Sequence, residues 1–137
     1  MSNKSIGDKG ERLAEAFLKK RGWRILSRNF KAHGGEIDII GYRFGVLAFF
    51  EVKTRSGLAF GRPAEAVDEK KLYHIQTAIK AFLGLYCNRN SIKVFYPLGI
   101  ELKRPINKQR IDVIEVLLGE EPKINHIKNW GSRYEIY

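Results

Sequence analysis

The segment that most constrains this chain is residues 46–54, VLAFFEVKT, in which five apolar residues run without interruption before Glu51 introduces charge. A strand with one wet face alternates apolar and polar residues, whereas a strand covered on both faces reads as a continuous apolar run. The segment is therefore expected to be a central strand, and a central strand demands layers on both sides of its sheet.

The flanking sequence supplies those layers. Residues 8–21, DKGERLAEAFLKKR, place Leu13, Ala14, Phe17 and Leu18 at helical spacing and stop at Gly22, which predicts an amphipathic helix. WRILSRNF (23–30) reads as a short strand. EIDIIGY (36–42) reads as another, joined through Tyr42-Arg43-Phe44-Gly45 to the central strand as a hairpin. SGLAFGRP (56–63) is a loop. Residues 64–83 carry Leu72, Ile75, Ile79, Phe82 and Leu83 on one face, with Gly84 beyond, and predict a second helix. After that the pattern weakens: 91–103 is extended but interrupted by Pro97, RIDVIEVLL (110–118) is a strand, and the tail from Lys123 is ambiguous. The expected order is helix, three strands, helix, then one or two strands, an α/β sandwich around a mixed sheet, built as one domain over residues 1–137.

Composition narrows the function. No apolar run approaches the 18 residues or more that a membrane-spanning helix needs, and the start of the chain has no signal-like apolar core. Cys87 is the only cysteine, which excludes an internal disulfide and a C-x-x-C zinc site and suits a reducing cytoplasm. The net charge is +10, as expected of a protein that meets polyanions, nucleic acid first among them. The charge is uneven: residues 1–34 carry a net +6 and residues 35–68 a net −1. Carboxylates gathered inside a basic protein suit a site that needs acids for a metal and bases for phosphate.

The acids in question are Asp38 and Glu51. Along a strand, positions i and i+2 share a face, so Glu51 and Lys53 point together and Val52 points away. A hairpin centred on Phe44–Gly45 sets opposite each other residues whose numbers sum to 89, which puts Asp38 across from Glu51. Directly opposed Cβ atoms lie about 4.5–5.5 Å apart. Two carboxylates that close raise one another's pKa unless a positive charge lies between them. Mg²⁺ (or Mn²⁺) is the expected cation, because it favours carboxylate and water oxygens. With Lys53 to orient a water, the set is suited to phosphodiester hydrolysis, in which the metal acidifies water and neutralises the phosphate. Thr54 and Arg55 follow as side chains of phosphate-contacting type. The plainer alternative is a solvated salt-bridge ladder at a strand end, since a single Glu-x-Lys is a weak motif.

The runs GDKGERLAEAFLKKRGW, RNFKAHGGEIDII, FFEVKTRSG with FGRPAEAV, and RIDVIEV closely resemble the bacterial YraN-like family. That family is assigned to the PD-(D/E)XK nuclease superfamily, near archaeal Holliday junction resolvases. The resemblance covers residues 5–83 and 110–118. It implies a restriction endonuclease-like α-β-β-β-α-β fold and a metal-dependent endonuclease acting on DNA, including branched forms. By that likeness Asp38 and Glu51 are the motif acids, Lys53 the motif lysine, and Glu11 the helical glutamate that completes the metal-binding set. Ile37 stands where many members of the superfamily have proline. Lys70, and with it Lys71, opens the exposed face of the second helix and could meet a phosphate. Glu36 and Asp112 are expected to be structural charges, Gln76 borders the apolar arc of its helix, and His33, His74 and His126 have no metal-ligand spacing. A twofold homodimer would suit a branched substrate, with residues 84–109 or the aromatic tail (Trp130, Tyr134, Tyr137) as surfaces for it. The competing classes are a nucleic-acid-binding protein that keeps the fold without cleaving, and a protein-interaction domain, which the net charge serves poorly.

Overall fold

The uninterrupted run VLAFF becomes the interior strand that its composition demands. In the computed structural model, which describes residues 2–56 and 69–130, helix α1 (Asn3–Lys20) is followed by strands β1 (Arg24–Ala32), β2 (Gly35–Arg43) and β3 (Val46–Arg55). Helix α2 (Glu69–Tyr86) then leads through β4 (Cys87–Asn88), β5 (Ser91–Tyr96) and β6 (Ile100–Pro105) to β7 (Lys108–Leu117) and β8 (Lys123–Ile127). The main sheet has the order β1-β2-β3-β7-β8. It is mixed: β3 and β7 run parallel, and the other neighbours are antiparallel. The chain is thus an α/β protein with a mixed central sheet flanked by helices.

Each face of β3 meets its own core. Ala48 and Phe50 pack with Ala14 and Leu18 of α1, Trp23, Ile39, Ile114 and Val116. Leu47 and Phe49 pack with Ile37, Ile40, Ile111 and the apolar stripe of α2, from Leu72 to Phe82. Leu47, Phe49 and Phe50 are fully buried, each stabilising by about 1.5–3 kcal/mol relative to exposure. Edge-on rings join the layers, with Trp23 against Phe50 at 5.1 Å and Phe49 against Phe82 at 6.0 Å.

Three sequence expectations change. Helix α1 starts five residues earlier than its apolar pattern, because Ser2 caps it by accepting a hydrogen bond from the Ser5 amide at 3.1 Å. The stretch 91–103, read as a single extended segment interrupted at Pro97, is part of a second, three-stranded antiparallel sheet β4-β5-β6 over residues 87–105, broken at Pro97–Gly99 where Leu98 takes a positive φ of 68°. The inward residues of that sheet, Ile92 and Val94, close the α2 side of the core. The ambiguous tail contributes β8, an edge strand paired to β7. The loop at 57–63, residues 64–68 of the expected second helix, and Tyr134 and Tyr137 lie outside the described residues. Among the described residues, no helix is long and apolar enough to cross a membrane.

Candidate active site

The hairpin register follows from its two-residue turn. Pairing runs from Arg43↔Val46 to Ile39↔Phe50, every pair summing to 89. There the ladder ends. One step further on, the Val52 amide donates not to a backbone carbonyl but to Asp38 Oδ2, at 2.8 Å. The other neighbour of β2 is irregular at the same level: Asn29, between the paired residues Arg28 and Phe30, has φ 49°. Asp38 therefore sits where β2 parts from β3, its carboxylate held by the backbone of the strand that carries Glu51 and Lys53.

Two further acids close on it. Helix α1 crosses β3 so tightly at Gly10 that a Cβ there would lie 1.8 Å from Thr54 Oγ1. This contact brings Glu11, the next residue, within hydrogen-bonding reach of Asp38. Glu51, on the α2 side of β3 and only 4% exposed, reaches Asp38 as well. Burial, reinforced by the charge of Asp38, pushes the Glu11 carboxyl up to about 7. The same two causes, in the same order, push Glu51 up to about 8 against the opposing pull of Lys71. Asp38 thus has two acids beside it, both reluctant to ionise, and such an arrangement gains from a cation.

Lys71 Nζ forms an ion pair with Glu51 Oε1. Burial costs the lysine solvation and acts to lower its pKa, but the charge and hydrogen bond of Glu51, together with the charges of Asp38 and Glu36, outweigh that loss and raise it. Lys70 and Lys71 both lie exposed at the start of α2, as the helix face predicts, but only Lys71 is turned to the acids. Lys53 is half-buried on the Glu51 face of β3, level with Glu115 of β7. Thr54 packs under α1 against Gly10. Arg55 is directed at the buried Glu115, with Nε 3.8 Å from Oε2. Asp38, Glu51, Glu11 and Lys53 are thus gathered at one end of the sheet, while, further along the strand of Glu51 and Lys53, Thr54 packs against α1 and Arg55 is directed at Glu115.

A hard divalent cation fits this set chemically, because every side-chain donor here is a carboxylate oxygen and two of the three acids are destabilised as anions. Among the described residues no group of three or more His, Cys, Asp or Glu side chains is placed to hold a metal ion together. Mg²⁺ does not require such a group, since it is usually held by one or two carboxylates together with water and phosphate oxygens.

A second charged cluster escaped the sequence reading. Asp112, expected to be an ordinary strand-face charge, is fully buried. It accepts from Arg110 Nε at 3.0 Å and Nη2 at 2.8 Å, and from the Asn129 amide at 2.8 Å, and it lies 2.8 Å from His126 Nε2. Burial acts to raise its pKa, but these partners outweigh burial and lower it. Arg110 two residues earlier on the same strand face was the only local signal; His126 lies 14 positions away. The cluster ties β7 to β8 and to the turn that follows it.

Residues 10–116 match the uncharacterised protein family UPF0102, and the chain belongs to that family. It is 45% identical over 107 residues to a UPF0102 protein of Carboxydothermus hydrogenoformans, covering 75% of this chain and 87% of that one. It is 43% identical over 125 residues to the Dictyoglomus thermophilum member, covering 90% and 92%, and 41% identical over 132 residues to that of Trichlorobacter lovleyi, covering 93% and 90%. The YraN-like resemblance read from the motif strings is this same family.

Proposed function

We propose that the protein is a metal-dependent endonuclease of the PD-(D/E)XK, restriction endonuclease-like type, hydrolysing phosphodiester bonds in DNA, including branched DNA. The observation that carries the reading is the convergence of Glu11, Asp38 and Glu51, from three different elements, at the point where β2 and β3 separate, with Lys53 on the Glu51 face. Asp38 and Glu51, with Glu11 beside them, would hold Mg²⁺ or Mn²⁺. When bound, the ion supplies charge neutralisation on the phosphate and acidifies a water. The chain does the rest. The Val52 amide fixes the Asp38 carboxylate, Lys53 orients the attacking water, and Lys71 balances the charge of Glu51. The phosphate diester approaches along an exposed surface that Lys70 keeps positive. A cytoplasmic, twofold dimer is the assembly that fits symmetric cutting of a branched substrate.

One observation favours the alternative, a nucleic-acid-binding protein that keeps the fold without cleaving: the ion pair with Lys71 already neutralises Glu51. Incubation with Mg²⁺ or Mn²⁺ and labelled single-stranded, duplex, flap and four-way-junction DNAs separates the two. Metal-dependent cutting that is lost in Lys53→Ala is the expected result. Binding without cutting, equal in both proteins, selects the alternative.

A further inference from the structure

The tip of the β2–β3 hairpin lies at the end of the sheet remote from the acids. From Gly45 to Glu51 the chain advances six residues along β3, roughly 20 Å at about 3.3 Å per residue. Two clefts meet at that tip, of about 790 Å³ and 330 Å³, and Trp23, Arg43 and Phe44 line both. The larger is completed by Arg24, Tyr96 and Arg104, the smaller by Arg21, Arg110 and Lys128.

The arginines are laid against aromatic rings. Arg21 lies 3.7 Å from the centre of the Phe17 ring, Arg24 and Arg104 lie 5.2 and 5.4 Å from that of Tyr96, and Arg43 and Arg110 both lie 5.6 Å from that of Trp23. Among the described residues, Arg110 alone of these has a carboxylate partner, the buried Asp112. Arg24 donates to the Phe95 carbonyl at 2.9 Å, Arg43 to the Arg21 carbonyl at 2.8 Å, and Arg104 to the Tyr96 hydroxyl at 3.1 Å. These neutral acceptors orient the guanidinium groups but leave their charge uncompensated. Among the described residues, Arg21, Arg24, Arg43 and Arg104 form no ion pair with an acid, whereas Arg28 and Lys19 are both drawn to Glu15. A guanidinium stacked on a ring keeps a preorganised edge of N–H donors, the geometry that grips phosphate.

Phe44 carries the inference further. It is 88% exposed, and both turn residues have positive φ, 45° at Phe44 and 81° at Gly45. A two-residue turn of this kind prefers Asn or Asp at its first position, and a bulky residue rarely takes that conformation. An aromatic ring held there, strained and in water, contributes nothing to packing. Arg43 lies 5.6 Å from the ring centre, so a base stacked on Phe44 would have a cation beside it. Among Phe17, Trp23, Phe44 and Tyr96, only Phe44 stands exposed.

We propose that this cleft binds a single-stranded nucleic-acid arm, with its phosphates on Arg24, Arg43 and Arg104 and a base stacked on Phe44. The inference rests on the nucleic-acid part of the proposed function and deepens it: a substrate engaging both ends of the sheet must carry an unpaired arm beyond the site of cutting.

The test is fluorescence anisotropy with a short fluorescein-labelled oligothymidine, in chelator and at several salt concentrations, so that cleavage plays no part. Phe44→Asn is expected to weaken binding roughly tenfold, as loss of one stacked base does, while raising Tm because asparagine suits the turn. Replacing Arg24 and Arg104 together by Gln is expected to reduce the salt slope of log K by about 1.4, roughly 0.7 for each phosphate contact. Unchanged binding by Phe44→Asn overturns the proposal. So does binding to phosphatidylserine vesicles that falls in parallel with binding to the oligonucleotide, which makes the tip a membrane contact. Metal-dependent cutting together with unchanged binding by Phe44→Asn removes the cleft and keeps the nuclease. Binding sensitive to Phe44 with no cutting under any metal removes the nuclease and keeps the cleft.

Discussion

Asp38 Oδ2 accepts a hydrogen bond from the Val52 amide, 2.8 Å away, immediately beyond the last backbone pair of β2 and β3. A carboxylate stands where the next carbonyl of the ladder would be, so the group that parts the strands also aims the acid. In Asp38→Asn the side-chain oxygen can still accept, and stability should change by less than about 1 kcal/mol. Asp38→Ala strands a part-buried amide and should cost about 1–3 kcal/mol. Both should abolish metal-dependent cleavage. Thermal unfolding beside a cleavage assay separates the two effects, and wild-type cutting by Asp38→Asn would remove Asp38 from the site.

The raised acids predict a pH dependence of the metal-free protein. Glu51 moves from an ordinary 4.5 in the unfolded chain to about 8 when folded, and Glu11 to about 7. Between those values the unfolded chain has released protons that the folded state retains, so stability falls as pH rises from about 4.5 to 8. Glu51→Gln should flatten that decline and raise Tm at pH 8 by several degrees. A Tm series in chelator from pH 5 to 8.5 checks it; a wild-type Tm that climbs steadily across this range counts against the raised acids.

Two lysines border the acids, and their roles separate experimentally. Lys71 is paired with Glu51, and Lys53 lies on the same strand face as Glu51. Lys53→Ala should abolish turnover while shifting stability by no more than about 0.5 kcal/mol, as for a side chain outside the packed core. Lys71→Met removes the charge that holds Glu51 down, so the pKa of Glu51 should rise further and the pH needed for cleavage should rise with it. Rate–pH profiles of the two variants decide the matter. A full rate in Lys53→Ala with none in Lys71→Met would reverse the assignment.

Gly10 is a packing residue with a consequence for the site. A methyl group there meets Thr54 Oγ1 at 1.8 Å, so Gly10→Ala must push α1 off β3. Overpacking of this kind costs about 1–3 kcal/mol. Because Glu11 rides on the same turn, cleavage should fall more than stability does. The double change Gly10→Ala with Thr54→Ala removes Oγ1 and Cγ2, vacates most of the clash and should recover some of both, measured by Tm and rate. No recovery in either would separate Gly10 from the placement of Glu11.

Much of the site was legible because it is local. The register that sets Asp38 near Glu51 follows from a two-residue turn between two readable strands, and the shared face of Glu51 and Lys53 follows from strand parity. What escaped depended on distant partners. Asp112 looked like any alternating strand charge, and only His126 and the Asn129 amide, brought in by β8 and the turn after it, make it a buried, hydrogen-bonded anion. Lys70 and Lys71 are neighbours in a helix, and only the placement of α2 on the sheet decides which of them meets Glu51. The strands of 84–109 were obscured by Pro97 and by the short hairpins around it.

The sequence by itself determined the layered α/β class, the central strand and the hairpin register that brings the two strand acids to the same level, because apolar periodicity and turn length act over a few residues; the ladder itself stops one pair short of them. Tertiary structure decided the charge state of those acids, the arrival of Glu11 through the Gly10–Thr54 contact, the choice of Lys71, and the gathering of arginines around Trp23, Tyr96 and Phe44. The physical reason is that a pKa or an ion pair depends on which groups lie within a few ångströms in space. Those neighbours come from α1, α2 and β6, elements far apart along the chain.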